Sequence, residues 1–246
     1  MKSLFRAEFH IHTVLSPCAE VEMIPPFIVQ EALEKSIRLI AITDHNATAN
    51  IAAVQKAAAG YDLTVLPGME VQTREEVHSL CLFDTLEQSA AWQAIVDAAL
   101  PLMQNRPDYF GEQFVVDETG DFIRREERML AISVDMGLED AFHEVTRLGG
   151  LFIPAHVNRR TFGLLANLGL VPTDIALEAL EISRQLPIAE AVIKFPQLRG
   201  YPLIQSGDVH RLEEFLGANY LTLQAPTIAE IRLALQGKEG RSLEIK

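Results

Sequence analysis

The chain has 246 residues with 21 Lys or Arg and 34 Asp or Glu, which gives a formal net charge of −13. This charge disfavours a surface that holds long nucleic acid by bulk electrostatics, but it leaves room for a few arginines around a substrate phosphate. The hydrophobic fraction of 48% supports a sizeable core and excludes a disordered chain.

Nothing in the sequence predicts a membrane protein or a secreted protein. Apolar runs such as residues 39–42 and 149–155 are far shorter than the ~20 residues of a spanning helix. Residues 1–13 lack the long apolar segment and cleavage site of a signal peptide, and two cysteines make no disulfide framework. We therefore expect a cytoplasmic protein without a membrane partner, and the sequence leaves its oligomeric state open.

Short apolar runs alternate with helical stretches along most of the chain. The predicted strands are residues 8–13, 38–43, 63–71, 77–83, 151–157, 176–183, 202–209 and 219–225. The predicted helices are residues 26–36, 46–59, 85–103, 138–148 and 188–195, with a last helix that opens at Thr227. This alternation is typical of parallel strands joined by crossover helices, in which the functional site lies at the carboxyl ends of the strands.

Residues 85–150 interrupt this alternation. Within them, residues 113–125 consist of two short apolar runs around a Glu-Thr-Gly-Asp turn, which predicts an inserted β-hairpin. The whole stretch is long for one crossover, so we expect it to form a lid, a specificity surface or an oligomer contact.

The chain has seven histidines, and six of them lie in or at the end of a predicted strand. His10 and His12 are two residues apart, so on a strand their imidazoles point to the same face and can hold one metal ion. A single pair of this kind is a weak signal. The seventh histidine, His143, lies in a predicted helix and is interpreted as a solvated or half-buried helix residue.

Further side chains that can bind metal recur at the ends of the other strands among the first seven predicted ones, with the exception of the sixth strand. They are His45, Glu70, His78, His156, Asp208 and His210. Any one of them is more simply explained as a polar residue at a strand end whose hydrogen bonds are all made. This explanation fails for the whole set, because it would require six of the seven histidines to lie in or at the end of a strand by chance.

So many ligands exceed the capacity of one ion, since zinc takes about four. We therefore expect two or three divalent ions (Zn, Mn or Fe), with a carboxylate such as Glu70 or Asp208 as a bridge between two of them. A multinuclear site of this kind suits the hydrolysis of a phosphate ester by a metal-activated water.

The ordered set of an H-x-H pair, a T-D-H triplet, a Glu after the third strand, two further histidines and a D-x-H near the end resembles the PHP (polymerase and histidinol phosphatase) family. The match runs from His10 to His210, and its motifs are specific together and weak singly. The resemblance implies an α/β fold, a distorted (β/α)7 TIM-like barrel, into which the predicted β-hairpin and helical segment are inserted. We expect residues 1–246 to form one such domain, with the insertion at roughly 85–150.

The resemblance also implies a role for each ligand. His10, His12, Glu70 and Asp208 would surround one ion. Glu70 would also bind a second ion, together with His78 and His156. A third ion would be bound by His45 and His210.

Residue 18 departs from the family pattern, because many members have a histidine eight residues after the first His of the H-x-H pair. Here that residue is Cys18. A thiolate at this position would favour zinc over manganese, and the alternative is that Cys18 is a bystander. Asp44 is interpreted as a partner of the ligands or as a proton carrier beside the site. Glu8 replaces the Asp that the family often has and is expected close behind the ligands.

A bound phosphate needs cationic donors in addition to metals. Arg159 and Arg184 each follow a predicted strand end and are the expected substrate-binding residues, with Arg160 and Arg211 as substitutes.

The expected function is therefore a metal-dependent phosphoesterase that acts on a small phosphorylated substrate, a phosphomonoester or a short nucleotide. Asp44, Glu70 and Asp208 are its expected catalytic residues, and long nucleic acid is the least favoured substrate. One alternative is a metal-dependent amidohydrolase-type enzyme that cleaves C–N or C–O bonds. The other is a non-catalytic metal-binding module in a partner complex.

Overall fold

Seven strands form a distorted barrel at the centre of the computed structural model, which describes residues 1–246. The strands of the chain are β1 Ser3–Ile11, β2 Leu39–Ile42, β3 Thr64–Gln72, β4 His78–Leu82, β5 Phe114–Val116, β6 Phe122–Arg125, β7 Leu151–Pro154, β8 Leu180–Ser183, β9 Leu203–Ser206, β10 Asn219–Leu223 and β11 Ser242–Ile245. The helices are α1 Pro25–Glu34, α2 Ile51–Ala57, α3 Leu86–Ala99, α4 Pro107–Phe110, α5 Leu138–Arg147, α6 Leu164–Leu168, α7 Ile188–Lys194 and α8 Ile228–Leu235. The expected TIM-like α/β barrel is confirmed.

Local signals in the sequence place several of the helices. α1 opens with Pro25 and Pro26, where a missing backbone N–H costs no hydrogen bond. α3 begins after Thr85, whose hydroxyl accepts from the backbone N–H of Gln88 while the Gln88 side chain returns to Thr85, a reciprocal capping box. None of the helices has the length and apolar character needed to cross a bilayer.

Backbone hydrogen bonds close the barrel at one rim. A continuous sheet runs through β1, β2, β3, β4 and β7, while β8 and β9 form a parallel pair. The Val157 N–H donates to the carbonyl oxygen of Glu181 at 2.8 Å and joins the end of β7 to β8. Val209, after β9, bonds to the backbones of His10 and His12 at 2.9 Å each and joins β9 to β1. The closure therefore lies where predicted ligands are concentrated.

β4 runs antiparallel to both of its neighbours, β3 and β7, which corrects the expectation of an all-parallel barrel. Only residues 73–77 separate β3 from β4, whereas a parallel crossover needs a dozen or more residues. The chain therefore turns back in a hairpin, in which His78 pairs with Gln72. The reversal places His78, the first residue of β4, at the same rim as Glu70 near the end of β3.

β10 and β11 extend the sheet beyond the barrel. β10 pairs antiparallel with β1, and β11 pairs antiparallel with β10. β10 was predicted from the sequence as a further strand of the parallel series, and β11, which has only four residues, was not predicted.

Apolar side chains fill the space directly below the polar rim. Leu66 and Glu70 lie four residues apart on β3 and so face the same side, and Leu80 on β4 pairs opposite Glu70. Leu66 and Leu80 belong to a buried cluster with Ile153 of β7 and Ile204 of β9. The site is therefore held from below by a packed core, which fixes the strands that carry it.

The insertion contains the predicted hairpin, formed by the antiparallel strands β5 and β6. Two buried asparagines after β2 fasten the insertion to the barrel. The Asn46 side-chain amide donates to the carbonyl oxygens of Leu130 and Ile132 at 2.7 Å each. The Asn50 side chain bonds to the backbone of β5 through both its nitrogen and its oxygen. The insertion is thus anchored to the segment that carries His45.

Candidate metal centre

Glu70 lies at the centre of the polar rim and meets histidines from several strands. Its Oε1 atom lies 3.1 Å from His10 Nε2, 2.8 Å from His78 Nδ1 and 3.2 Å from His156 Nε2. These three histidines come from β1, β4 and the loop after β7, so residues far apart in the sequence converge on one oxygen atom.

The second oxygen of Glu70 faces a different pair of histidines. Glu70 Oε2 lies 3.4 Å from His12 Nε2 and 3.0 Å from His45 Nδ1. Complete burial raises the pKa of Glu70, but the imidazoles of His78, His10 and His45 outweigh burial and hold the pKa well below its usual range. A charged carboxylate whose two oxygens face different sets of imidazoles has the geometry of a bridging ligand.

Asp208 supplies the second carboxylate of the rim. Its Oδ1 atom lies 3.3 Å from His10 Nε2 and 3.5 Å from His12 Nε2. Its backbone φ is +51°, a conformation that costs a non-glycine residue about 1–3 kcal/mol. The preceding residue is Gly207, where a Cβ atom would collide with the carbonyl oxygen of Glu214. This strained turn directs the Asp208 carboxylate at the histidines.

Several buried atoms of this cluster lie close to one another, but their contacts do not have the geometry of a hydrogen bond. They are His10 Nε2, His12 Nε2, His45 Nδ1, His78 Nδ1 and Glu70 Oε2. A buried polar atom without a partner costs about 1–3 kcal/mol, so such a cluster requires compensation. Imidazole nitrogens and carboxylate oxygens are ligands of zinc and other divalent transition metals, and a cation would engage these lone pairs together. The residues therefore fit the metal centre that the family resemblance implies.

Three overlapping sets of ligand atoms are compact enough to hold a metal ion, with all atoms of a set within 4.8 Å of one another. The sets are His10, His12 and Asp208; His12, His45 and His210; and His45, Glu70 and His78. Because His12 and His45 each belong to two sets, the sets form one contiguous centre and not three separate sites. His156 joins this centre through its contact with Glu70. The number and identity of the ions stay a prediction.

Hydrogen bonds on the outward side of the rings fix which nitrogen faces the centre. His12 Nδ1 pairs with Ser16 Oγ at 2.9 Å, and His78 Nε2 pairs with Gln72 Oε1 at 3.2 Å. Phe162 stacks on His78 with ring centroids 4.4 Å apart. Such partners set the tautomer and orientation of metal-binding histidines, and they are a second observation consistent with a metal centre.

Asp44 lies behind the rim, where it is fully buried. Its carboxylate accepts hydrogen bonds from the Thr13 backbone at 2.7 Å, the Thr13 hydroxyl at 2.8 Å and the Ser16 hydroxyl at 2.7 Å. Since Ser16 also contacts His12, Asp44 orients His12 through Ser16. Of the two roles expected for Asp44, this geometry favours the orientation of a ligand. Sequence reasoning did not identify Ser16, whose only signal is its place in the loop after the H-x-H pair.

Cys18 lies beside His45 and His210, which belong to the expected third ion. Loss of solvation raises the pKa of the Cys18 thiol, but charge and hydrogen bonding from His45 and His210 outweigh it and lower the pKa to about 6. The thiolate therefore predominates at neutral pH, and the thiolate is the form of cysteine that binds metal. Cys18 belongs to none of the three compact sets of ligand atoms, so its role as a ligand stays a prediction.

We expect Cys18→His to retain the metal content of the parent protein, because an imidazole restores the ligand type usual in the family. Cys18→Ala is expected to lower the metal content by about one ion per chain. Elemental analysis of both variants, purified without chelators, is the measurement. If Cys18→Ala holds as much metal as the parent, Cys18 serves only in packing.

The expected substrate-binding arginines line a polar cleft of about 500 Å³ that also contains Asp208 and His210. Arg159 pairs through Nη1 with the outer oxygen of Asp208, and Arg184 Nη2 lies 2.7 Å from Glu214 Oε1. Each guanidinium is therefore held at the cleft by a carboxylate, a pairing that sequence reasoning did not foresee.

The two substitute arginines differ in their surroundings. Arg211 also lines the cleft and pairs with Glu20 at 3.0 Å. Arg160 is exposed and forms no ion pair. Of these two, only Arg211 is positioned in the wall of the cleft.

The sixth predicted strand, for which the sequence predicts no metal-binding side chain, carries a buried carboxylate behind the ligands. Glu181 on β8 is buried, and its Oε2 atom lies 3.0 Å from His10 Nδ1. The same oxygen accepts a hydrogen bond from the His156 backbone at 3.3 Å. The only signal in the sequence is a glutamate within an otherwise apolar strand.

Glu8 supports the site through backbone contacts and touches none of the predicted ligands directly. Its carboxylate accepts hydrogen bonds from the backbone N–H groups of Gly207, Leu216 and Gly217, each at 2.9 Å. Glu8 thereby anchors the turn that precedes Asp208. Complete burial raises its pKa, although these three hydrogen bonds oppose the rise.

Two further residues lie outside the centre, as their sequence context suggests. Cys81 is fully buried in an apolar cluster on β4. The His143 side chain is 61% exposed on α5 and lies 3.6 Å from Glu139 one turn earlier. Neither residue belongs to a compact set of ligand atoms, so the centre draws on six of the seven histidines.

Comparison with known protein families identifies the PHP domain, whose pattern matches residues 8–141, more than half of the chain. The matched stretch includes His10 to His78 and ends before His156, Asp208 and His210. No curated protein sequence matches the chain.

Solved structures share the fold at low sequence identity. A lesion-specific endonuclease from Pyrococcus furiosus, PfuEndoQ, superposes with a TM-score of 0.75 at 19% identity, covering 98% of this chain and 58% of that chain. The present chain thus spans less than two thirds of the endonuclease. A protein described as a metal-dependent phosphoesterase from Bifidobacterium adolescentis matches with a TM-score of 0.57 at 18% identity, covering 83% and 87% of the two chains. An amidohydrolase from Chromobacterium violaceum matches with a TM-score of 0.58 at 19% identity, covering 94% and 96%.

Proposed function

This chain belongs to the PHP domain family of metal-dependent hydrolases, and we propose that it hydrolyses a phosphate ester, either a phosphomonoester or a short nucleotide. The observation that carries the proposal is the set of buried, unpartnered imidazole nitrogens around the two oxygens of Glu70. Two or three divalent ions held there would lower the pKa of bound water and neutralise charge on phosphoryl oxygens.

The residues of the chain have distinct parts in this proposal. Glu70 would hold ions through both of its oxygens, and Asp208 would bind an ion from the side of the cleft. Asp44 fixes His12 through Ser16, so that His12 Nε2 is directed at the centre. Of the three expected catalytic residues, Asp44 thus acts as a positioning residue.

The cleft favours a small anionic substrate. A substrate in the cleft would meet the centre at Asp208, whose side chain is 21% exposed. Glu70 and His10 are closed to solvent. Arg159 and Arg184 can offer two fixed guanidinium groups to phosphoryl oxygens, because each is already oriented by a carboxylate partner. The overall charge of −13 makes a long nucleic acid a less favourable ligand than a small phosphate ester.

A second candidate function is endonucleolytic cleavage of DNA, which the fold similarity to the lesion-specific endonuclease favours. A third, hydrolysis of a C–N bond, is favoured by the similarity to the amidohydrolase. These activities require the same metal chemistry but different substrate contacts, so a substrate panel separates them.

The panel comprises p-nitrophenyl phosphate, bis-p-nitrophenyl phosphate, a series of nucleotides, a duplex DNA with and without an abasic site, and N-acyl amino acids. We expect turnover of a phosphomonoester or short nucleotide that depends on added Mn²⁺ or Zn²⁺. Cleavage of the duplex alone would replace the proposal by the endonuclease function, and turnover of the amides alone would replace it by the amidohydrolase function.

Arg159→Ala and Arg184→Ala are each expected to lower kcat/KM for a phosphomonoester by roughly one to two decades. The reason is that a charge-assisted contact typically contributes ~1.5–3 kcal/mol. Arg→Lys at either position should fall between the parent and the alanine variant, since lysine keeps the charge but loses the bidentate geometry. Steady-state kinetics with metal content measured in parallel is the test.

Arg199→Ala serves as the matched control for these variants, because Arg199 is exposed and forms no ion pair. Its kcat/KM should equal that of the parent. Full efficiency in both Arg159→Ala and Arg184→Ala would show that the phosphate is held by the metals or by Arg211.

A further inference from the structure

Glu181 differs from the other groups that contact the outward side of the histidines. His12 Nδ1 pairs with the Ser16 hydroxyl, His78 Nε2 with the Gln72 amide oxygen, and His210 Nδ1 with a backbone carbonyl. Those hydrogen-bond partners are neutral, although Asp208 Oδ1 also lies 3.5 Å from His210 Nδ1. His10 Nδ1 instead pairs with a carboxylate, that of Glu181, at 3.0 Å.

The burial of the Glu181 carboxylate costs free energy of solvation. Its side chain is 1% exposed, and its carboxylate has only two hydrogen-bonding neighbours, His10 Nδ1 and the His156 N–H. Removing a carboxylate from water costs several kcal/mol, and a well-packed neutral side chain at the same place would avoid that cost. Packing alone therefore does not explain why residue 181 on β8 is a glutamate.

The contacts of Glu181 indicate what the charge does. His10 Nε2, on the opposite side of the ring, has no hydrogen-bond partner and lies 3.1 Å from Glu70 and 3.3 Å from Asp208. A proton held on Nδ1 by Glu181 leaves the Nε2 lone pair directed at the centre. The negative charge also makes the imidazole a stronger electron donor.

We propose that Glu181 is a positioning residue that fixes the Nδ1–H tautomer of His10 and tightens metal binding at the set of His10, His12 and Asp208. The inference rests on the proposed metal centre. It adds to that centre a buried carboxylate on the strand for which the sequence predicted no metal ligand, and it assigns to Glu181 an effect on metal affinity and not on substrate contact.

Zinc affinity measured by competition with a chromophoric chelator provides the first test, on protein stripped of metal and returned to buffer. Glu181→Gln keeps an oxygen that can accept from Nδ1, so we expect about a 10-fold loss of affinity. Glu181→Ala removes the acceptor, and we expect about a 100-fold loss. Glu190→Gln, on the exposed face of α7, is the matched loss of charge and should leave the affinity unchanged.

A double-mutant cycle distinguishes an action through His10 from a general effect on the fold. In a His10→Ala background, Glu181→Gln should cause no further loss of zinc affinity, because its partner is gone. An additive loss would overturn the proposal. Thermal unfolding of each metal-free variant identifies any that fail to fold.

The ¹⁵N chemical shifts of the His10 ring report the tautomer directly and need no bound metal. At a pH where the ring is neutral, we expect Nδ1 to carry the proton in the parent protein, and a mixture of tautomers in Glu181→Ala. If the parent binds no zinc, the proposed metal centre fails. If the parent binds zinc while both Glu181 variants bind equally well and keep the Nδ1–H tautomer, only the role of Glu181 fails.

Discussion

Glu70→Gln is expected to lower kcat/KM for the phosphoester substrate about 10³-fold, more than His10→Ala or His12→Ala does. The carboxylate faces five imidazoles through its two oxygens, whereas each histidine offers one nitrogen to the centre. A neutral amide is a poor bridge between two cations and leaves their charge uncompensated. A loss of about 4 kcal/mol of charge stabilisation corresponds to this factor.

Turnover of p-nitrophenyl phosphate, with metal per chain measured on the same samples, is the readout. Glu76→Gln is the control, since Glu76 is exposed in the turn between β3 and β4 and forms no ion pair. Equal residual activity in Glu70→Gln, His10→Ala and His12→Ala would contradict a bridging role for Glu70.

Removal of the metal is expected to abolish activity and to lower the melting temperature by roughly 5–10 °C. Metal that binds the folded state alone stabilises it by about 2.7 kcal/mol at 100 times its Kd, and about 1 kcal/mol shifts Tm by roughly 2–4 °C in a chain of this size. Without metal, the unpartnered nitrogens of the centre have no compensating cation.

Calorimetry before and after chelation, and after return of Zn²⁺ or Mn²⁺, measures the shift. The bound metal should number two or three ions per chain. Metal affinity should also fall as the pH is lowered through the imidazole range, because protons compete for the same nitrogens. A content below one ion that added metal does not restore, or a Tm that chelation leaves unchanged, would exclude the proposed centre.

Eight of the nine predicted ligands could be proposed from the sequence because each is a metal-binding residue type at or near the end of an apolar run, whereas Cys18 follows from the family pattern. All nine, from His10 to His210, lie close together in the structure. The direction of β4 was harder to predict from the sequence, since the apolar pattern of a strand is the same in either direction. The evidence available was the short link at residues 73–77, which is compatible only with a hairpin.

Glu181 and Ser16 could not be assigned from the sequence for a different reason. Glu181 contacts His10 across 171 residues of the chain, and Ser16, although only four residues from His12, acts together with Asp44, which lies 28 residues further on. Nor does the sequence reveal that Arg159 and Arg184 are paired with Asp208 and Glu214. Residue type and spacing indicate what a side chain can do, but its partner is determined by tertiary packing.

The two asparagines that fasten the insertion have a consequence for folding. The Asn46 bond to Leu130 spans 84 residues, and the Asn50 bond to Phe114 spans 64 residues. Bonds between such distant residues form late, because a long stretch of chain must be ordered first. We therefore propose that the segment around His45 reaches its final conformation only when the insertion has docked. A chain from which residues 85–150 are deleted would lose the hydrogen bonds of Asn46 to Leu130 and Ile132 and those of Asn50 to β5, each of which typically contributes about 0.5–1.5 kcal/mol. The insertion and the barrel are then one cooperative unit, which should melt in a single transition.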